Sequence, residues 1–183
     1  MPTREITVII ASPSDASEER DAILHKIETM FRREGFEELC NARIIVEGWE
    51  SIPSQPGYAQ DIINSDLIKG ADIVCAVFKH KLGTPTINTE TGEQRALSGT
   101  AEELMQALSG NKKPLGMAYF YEFPPEPLNP NSEQECARLE ACKKDIRNKM
   151  LDKLYNNDLE KLLRMICREI CNHIRKHKLF SVG

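Results

Sequence analysis

The sequence has few aromatic residues and no long hydrophobic run. Aromatic side chains make up 6% of the 183 residues, with a single tryptophan, Trp49. No apolar run approaches the roughly 20 residues that a membrane-spanning helix needs, so we expect no membrane partner. The first residues lead directly into a strand-like segment and show no signal-peptide pattern. We therefore expect a cytoplasmic protein.

Neither sign of charge dominates the chain. It has 24 basic and 28 acidic residues, for a formal net charge of −4. This balance gives no general attraction to nucleic acid, so we expect no direct nucleic-acid partner. At this length the chain can form one sizeable core with an appended element, but hardly two full domains.

Several catalytic and metal-binding motifs are missing. The sequence has no Walker loop, no Gly-x-Gly-x-x-Gly and no His-Glu-x-x-His, which argues against kinases, classical dehydrogenases and zinc proteases. It also lacks Cys-x-x-Cys pairs, and we expect its cysteines to be reduced and no metal or cofactor to be bound. Cys167/Cys171 and His173/His177 form two i, i+4 pairs that face different directions, so a metal site there is disfavoured.

Apolar runs alternate with amphipathic segments through the first two thirds of the chain. Continuous, largely β-branched runs are typical of parallel strands covered on both faces, and they occur at residues 6–11, 43–49, 71–78 and 115–120. Helical periodicity lies between them, and a polar loop is predicted over residues 83–97. The alternation predicts a parallel sheet with helices on both faces. Ligands of such sheets bind at the carboxyl ends of the strands.

The pattern changes after Pro130. We predict a charged helix over residues 132–153 and an amphipathic helix from Leu159 onward, whose apolar stripe forms core or an assembly surface. The chain is therefore divided into an α/β domain at 1–123 and a helical extension at 124–183. The extension is expected to pack on the domain or to serve assembly.

The most informative segment is residues 98–107, where small residues open a helix and Glu103 lies in its first turn. A helix start supplies unpaired N–H groups and partial positive charge, which attract anionic ligands. A glutamate beside such a site can attack, or stabilise charge at, a reacting carbon. We therefore expect Glu103 to be catalytic. Glu102 points about 100° away round the helix and is expected to face solvent.

Polar residues at the strand exits complete the candidate site. The residues expected to bind substrate follow the first three strands or open the helix: Ser12, Pro13, Ser14, Trp49, Gly83, Ser98, Gly99 and Thr100. Two of them have alternative roles. Ser14, with Asp15, is as well suited to cap the following helix, and Trp49 is either a stacking platform or a lid on the core.

The basic residues near these exits have more ordinary explanations. Lys79, His80 and Lys81 follow the third strand and are more typical of a solvated strand end than of a phosphate site. Arg20 is expected to pair with a helix neighbour such as Glu19, or to reach another helix, rather than to contact ligand.

Taken in order, these segments resemble a TIR-like fold, and more narrowly the TIR-like N-terminal modules of unknown function found in multidomain proteins. The matching residues fall within about 6–107, at 11–15, 19–20, 49, 56–57, 60–64, 71–74, 82–86 and 98–103. The resemblance implies an α/β fold, a flavodoxin-like three-layer sandwich with a central parallel sheet. Residues after about 124 lie outside it.

The Gly99-Thr100-Ala101-x-Glu103 pattern is also similar to nucleoside 2-deoxyribosyltransferases, in which a glutamate at this spacing is the nucleophile. Those enzymes usually have an acid where this chain has Leu97. Catalytic TIR domains likewise carry a glutamate at this helix and cleave the nicotinamide–ribose bond of NAD. Both resemblances imply the cleavage of an N-glycosidic bond.

The resemblance implies an NAD glycohydrolase (NADase) with NAD as substrate, activated by self-association in bacterial antiphage defence or signalling. One alternative is a nucleoside or nucleotide N-glycosidase or deoxyribosyltransferase. The other is a non-catalytic scaffold that assembles with like domains, in which Glu103 only interacts with its own helix start.

Overall fold

The apolar runs form strands of one parallel sheet. The computed structural model describes residues 4–109, 114–124 and 130–176. In these residues the strands are β1 (Glu5–Ala11), β2 (Arg43–Glu47), β3 (Ile73–Phe78), β4 (Thr86–Ile87), β5 (Gln94–Ala96), β6 (Leu115–Tyr121) and β7 (Lys153–Tyr155). The sheet has the order β2-β1-β3-β6-β7 with all neighbours parallel, while β4 and β5 form a separate antiparallel hairpin.

Helices cover both faces of the sheet. They are α1 (Ser17–Arg33), α2 (Phe36–Cys40), α3 (Ala59–Asp66), α4 (Gly99–Ser109), α5 (Pro130–Arg147) and α6 (Leu159–Lys176). In the described part of the chain, no helix is both long and apolar enough to cross a membrane. When only the five strands of this sheet are numbered along the chain, leaving out the hairpin, their order is 2-1-3-4-5. This is the flavodoxin-like order. The predicted α/β sandwich with a central parallel sheet is confirmed.

The two faces of the sheet bury separate cores because successive strand residues point to opposite sides. In β3, Ile73, Cys75 and Val77 pack with α1, α2 and α6, whereas the alternate residues pack with α4 and α5. All six residues of β3 are buried. This double burial explains why the strand has a continuous apolar sequence rather than an alternating one.

The C-terminal segment contributes a strand to the sheet and a helix to the layer that contains α1. β7 pairs with β6 at the edge of the sheet, and the apolar stripe of α6 is buried against α1 in the same core. Of the two roles considered for that stripe, the structure shows core packing. The strand β7 was not predicted, because three residues that include an exposed lysine carry no strand periodicity.

Two other elements differ from the prediction. The polar segment 83–97 was expected to be a loop, but it contains the β4–β5 hairpin. The short helix α2 was not predicted either. It begins after Gly35, whose φ of 76° is left-handed, and it ends at Asn41, also left-handed. Elements of two to five residues are too short to show a hydrophobic period.

Candidate active site

The start of α4 lies where the sequence predicted a helix start. The Ser98 hydroxyl accepts a hydrogen bond from the Ala101 N–H at 3.1 Å, the geometry of an N-cap residue. Ser98 and Thr100 are both buried, so neither presents an open surface to a ligand in this conformation. Ser98 therefore caps α4, and its role in substrate binding stays a prediction.

Glu103 is a nearly enclosed carboxylate. Only 8% of the residue is exposed, and its Oε1 accepts a hydrogen bond from Gln60 Nε2 of α3 at 3.0 Å. Burial disfavours the charged form and raises the pKa of Glu103 to about 7, although the Gln60 hydrogen bond and the charge of Arg20 oppose this. A carboxyl group with this pKa changes its protonation near neutral pH, as acid–base groups of enzymes do.

The close approach of Gln60 explains why position 99 is a glycine. A Cβ at this position would collide with Gln60 Oε1. The missing side chain therefore gives Gln60 the room to reach Glu103, while Gln60 Nε2 also lies 3.2 Å from Asn64 Oδ1. Gln60 falls within the 60–64 segment of the resemblance but was not predicted as a site residue, because only the packing of α3 against α4 brings it to the carboxylate.

Glu102 does not face solvent, and that prediction was wrong. It is only 7% exposed, and its carboxylate is bound by Arg95 Nε at 2.8 Å, Asn64 Nδ2 at 2.8 Å and the Thr86 hydroxyl. Arg95 and Thr86 belong to the β4–β5 hairpin, which covers this side of α4. Arg95 also pairs with Asp61 of α3 at 2.7 Å, so Glu102 helps to tie the hairpin to two helices.

Arg20 connects the exits of the first two strands. Its guanidinium forms a two-pronged ion pair with Glu50, at 2.9 Å and 2.5 Å, rather than pairing with a helix neighbour. Its Nη1 lies 3.4 Å from Ser12 Oγ. Burial opposes ionisation of Glu50, but the hydrogen bonds and charge of Arg20 outweigh it and hold the pKa of Glu50 below its usual range. Arg20 is also close enough for its charge to act on Glu103.

Trp49 presents an open aromatic surface. It is 58% exposed, so it is not a lid on the core. The Arg20 guanidinium lies 5.6 Å from the centre of its ring, a distance typical of a cation–π contact. A rigid indole that is held on one side and open on the other suits stacking against a planar ligand.

The loop after β3 meets the start of α4. Gly83 has a φ of 96°, and a Cβ there would lie 3.6 Å from the Ser98 Cβ and 3.8 Å from the Pro13 Cβ. Three residues predicted to share a site are thus neighbours. Arg138 of α5 holds both loops by donating to the carbonyls of Gly83 at 3.1 Å and Leu97 at 2.8 Å. No sequence motif pointed to Arg138.

Ser14 and Asp15 do not cap the helix that follows them. Neither Ser14–Ala16, a 3-10 turn, nor α1 has a side-chain cap hydrogen bond. Asp15 Oδ2 instead accepts the backbone N–H groups of His80 and Lys81, at 2.8 Å and 3.0 Å. This contact ties the exit of β1 to that of β3. Ser14 is exposed, and with Asp15 it lines a cavity of about 690 Å³.

The predicted residues fall into two neighbouring groups. Glu103 and the backbone around Gly99 lie with Gln60. Ser12 and Trp49 both contact Arg20, and the charge of Arg20 acts on Glu103. The second group contains Ser14 and Gly83 on the 690 Å³ cavity, with Pro13 beside Gly83. Lys79 is not a solvated strand end, because it pairs with the buried Glu19 at 3.0 Å.

The cysteines and histidines considered for a metal site lie on or beyond α6, away from the start of α4. In the ranges that the structure describes, no group of three or more His, Cys, Asp or Glu side chains is arranged to hold a metal ion. Cys167 and Cys171 are buried in the hydrophobic core between α6 and the sheet. His177 lies outside the described residues.

No protein-family model matches the sequence, and no curated protein matches it.

Proposed function

We propose that this protein is an NAD glycohydrolase of the TIR type, which cleaves the nicotinamide–ribose bond and becomes active on self-association. The observation that carries the proposal is the buried Glu103 carboxylate just after the first turn of α4, with its pKa raised to about 7. The open ring of Trp49 and the hydroxyl of Ser12 lie at the exits of β2 and β1, at the same edge of the sheet.

Cleavage of a ribose–nitrogen bond develops positive charge at the anomeric carbon, as in glycoside hydrolysis. An ionised Glu103 in a water-poor site stabilises that charge or bonds to the carbon directly. Nicotinamide leaves as a neutral molecule, so the leaving group needs no general acid. Water then adds to the sugar carbon, breaking the bond to Glu103 where one has formed, and releases one proton, which gives ADP-ribose and nicotinamide. Glu103 can accept that proton because its pKa lies near 7.

The neighbouring residues have different parts in this proposal. Trp49 stacks on the adenine or the nicotinamide ring, as exposed aromatic side chains do with nucleobases. Ser12 and the N–H groups at the start of α4 bind the ribose or the diphosphate. Arg20 is a positioning residue, since both prongs of its guanidinium are already engaged by Glu50.

Activation by self-association accounts for the enclosure of Glu103. With 8% of the residue exposed and Gln60 bonded to its carboxylate, a sugar can contact Glu103 only after Gln60 or its neighbours move. Contact with a second subunit would supply the energy for that movement. The isolated protein is then expected to be nearly inactive, and activity is expected to rise steeply with protein concentration.

The test is to incubate purified protein with NAD over a wide range of protein concentration and to measure released nicotinamide by chromatography. We expect release at high concentration and its loss in Glu103→Gln. Glu133→Gln is the matched control, because Glu133 is an exposed glutamate in the first turn of another helix, α5. Equal activity of Glu103→Gln and the wild type would overturn the assigned role.

Two observations favour the alternatives, and the same samples separate them. The enclosure of Glu103 also suits a non-catalytic scaffold, for which assembly without nicotinamide release is the expected result. The Gly99-Thr100-Ala101-x-Glu103 pattern suits a nucleoside N-glycosidase or transferase. Release of free base from deoxynucleosides, without release of nicotinamide from NAD, would identify that activity.

A further inference from the structure

Two cysteines from distant parts of the chain meet in the core between α2 and α6. The sulfur atoms of Cys40 and Cys171 lie 3.4 Å apart, although 131 positions separate the residues in sequence. Both residues are buried, and both are free thiols. This spacing is van der Waals contact, about 1.4 Å longer than a disulfide bond, so little movement separates the pair from a covalent link.

The two thiols are not equivalent. The Cys171 thiol donates to the Cys40 sulfur, and this donation lowers the pKa of Cys40 despite its burial, with help from backbone N–H groups and the charge of Arg4. The same contact and burial raise the pKa of Cys171. The Cys40 thiol itself donates to the Phe36 carbonyl oxygen at 2.8 Å, so Cys40 must lose this proton before its sulfur attacks an oxidant.

Arg4 is the cation whose charge acts on Cys40. Within the described part of the chain, its Nε and Nη1 atoms are buried without a hydrogen-bond partner. An unsatisfied guanidinium in such a place is unfavourable unless a negative charge is present nearby. Ionisation of Cys40 would supply a negative charge on which the charge of Arg4 acts. Reactive cysteines are typically found beside an arginine or a lysine of this kind.

We propose that Cys40 and Cys171 form a redox-active dithiol that closes to an intramolecular disulfide on reaction with a hydroperoxide. In the first step the Cys40 thiolate attacks one peroxide oxygen, the O–O bond breaks, and Cys40 sulfenic acid and hydroxide form. In the second step the Cys171 sulfur attacks the sulfenic sulfur and releases hydroxide, which takes the thiol proton and leaves as water. The two thiols are oxidised by two electrons and the peroxide is reduced.

The link would join the end of α2 to the C-terminal half of α6. Because it closes a loop of 131 positions, it restricts the unfolded chain strongly and is expected to raise the unfolding temperature. Cys40 lies before β2 begins, at the end of the sheet opposite the strand exits that carry Trp49 and Ser12. The proposal is thus independent of the proposed NAD chemistry.

The experiment treats the reduced full chain with hydrogen peroxide, then alkylates the remaining thiols with N-ethylmaleimide in denaturant and measures the intact mass. The chain has six cysteines, and joining two leaves four to alkylate. We expect four maleimide groups, a Cys40–Cys171 peptide that disappears on reduction, and a higher unfolding temperature. Uptake of six groups after peroxide, or a link between other cysteines, would overturn the proposal.

Matched variants test the roles within the pair. Cys40→Ser and Cys171→Ser should each abolish the link, whereas Cys136→Ser, which changes a half-buried cysteine elsewhere, should leave it intact. Arg4→Gln should slow link formation severalfold, and Arg43→Gln, at an exposed arginine, should not. Link formation at the wild-type rate in Arg4→Gln would overturn the thiolate mechanism. If a serine variant fails to fold, peptide mapping of the wild type decides the pairing.

Discussion

The adjacent glutamates Glu102 and Glu103, near the start of α4, lie in very different surroundings. Glu102 and Glu103 are about equally buried, at 7% and 8% exposure. Glu102 is neutralised by Arg95 and receives further hydrogen bonds from Asn64 and Thr86. Glu103 is held by an uncharged amide, that of Gln60, while the nearby Arg20 is committed to Glu50.

The difference shows that burial alone does not make a carboxylate chemically useful. A buried carboxylate with a cation and several donors is a structural tie, and here it fastens the hairpin to the helices. A buried carboxylate without its own cation has its pKa raised and can change its charge near neutral pH. Glu103 is of this second kind, and the predictions below test that distinction.

The largest expected effect is on the pH dependence of folding stability. Because the pKa of Glu103 is raised to about 7 from an ordinary value of 4.5, protonated Glu103 stabilises the fold below about pH 4.5. That stability is lost as the pH rises to about 7, by roughly 3 kcal/mol. Urea denaturation of wild type and Glu103→Gln should therefore agree at pH 4.5, with the variant more stable by about that amount at pH 8. Parallel curves at all pH values would contradict the raised pKa.

The second prediction concerns the ion pair between Glu102 and Arg95. Glu102→Gln removes the charge that pairs with Arg95 in a mostly enclosed place, so we expect a loss of about 2 kcal/mol in unfolding free energy. Glu90→Gln, at an exposed position of the hairpin, should change it by less than about 0.5 kcal/mol. Denaturation at pH 7 compares the two. Equal stability of both variants would mean that the hairpin is not held by Glu102.

The third prediction addresses the open aromatic surface of Trp49. Trp49→Ala should raise the KM for NAD about tenfold, because stacking on a base is worth roughly 1–3 kcal/mol. Trp49→Phe should keep most of the affinity, and neither variant should unfold the protein, since the indole is mostly exposed. Steady-state nicotinamide release gives KM and kcat separately. An unchanged KM in Trp49→Ala would remove Trp49 from the proposed site.

The smallest expected effect comes from Gly99. A methyl group there displaces Gln60 Oε1 and disturbs the hydrogen bond to Glu103, which should cost about 1 kcal/mol in stability and raise the pKa of Glu103 further. Gly70→Ala is the matched control, because a Cβ at Gly70 meets nothing within 4 Å. If Gly99→Ala behaves like Gly70→Ala, the contact with Gln60 does not position Glu103.

Sequence patterns were sufficient for the elements that carry strong periodicity. The continuous apolar run of β3 and the spacing of apolar residues in α1 predicted a parallel sheet with helices on both faces. The β4–β5 hairpin and β7 were not predicted, because strands of two or three residues are too short to show a hydrophobic period. Their positions depend on contacts between distant segments, which a local pattern does not contain.

The candidate site shows the same division. Glu103 was predicted from its place in the first turn of a helix, and Ser12 and Trp49 from their places at strand exits. The orientation of Glu102 was predicted wrongly, because the hairpin that covers it was unknown. Gln60 and Arg138 were missed, since each acts through a segment about 40 residues away or more in the chain.

The titration of Glu103 itself is the most direct test of its raised pKa. Its carboxyl carbon can be followed by ¹³C NMR between pH 4 and 9 and assigned by the signal that is lost in Glu103→Gln. We expect the midpoint of this titration near pH 7. A midpoint near the ordinary value of 4.5 would contradict it, because the carboxylate would then be hydrated like any surface glutamate.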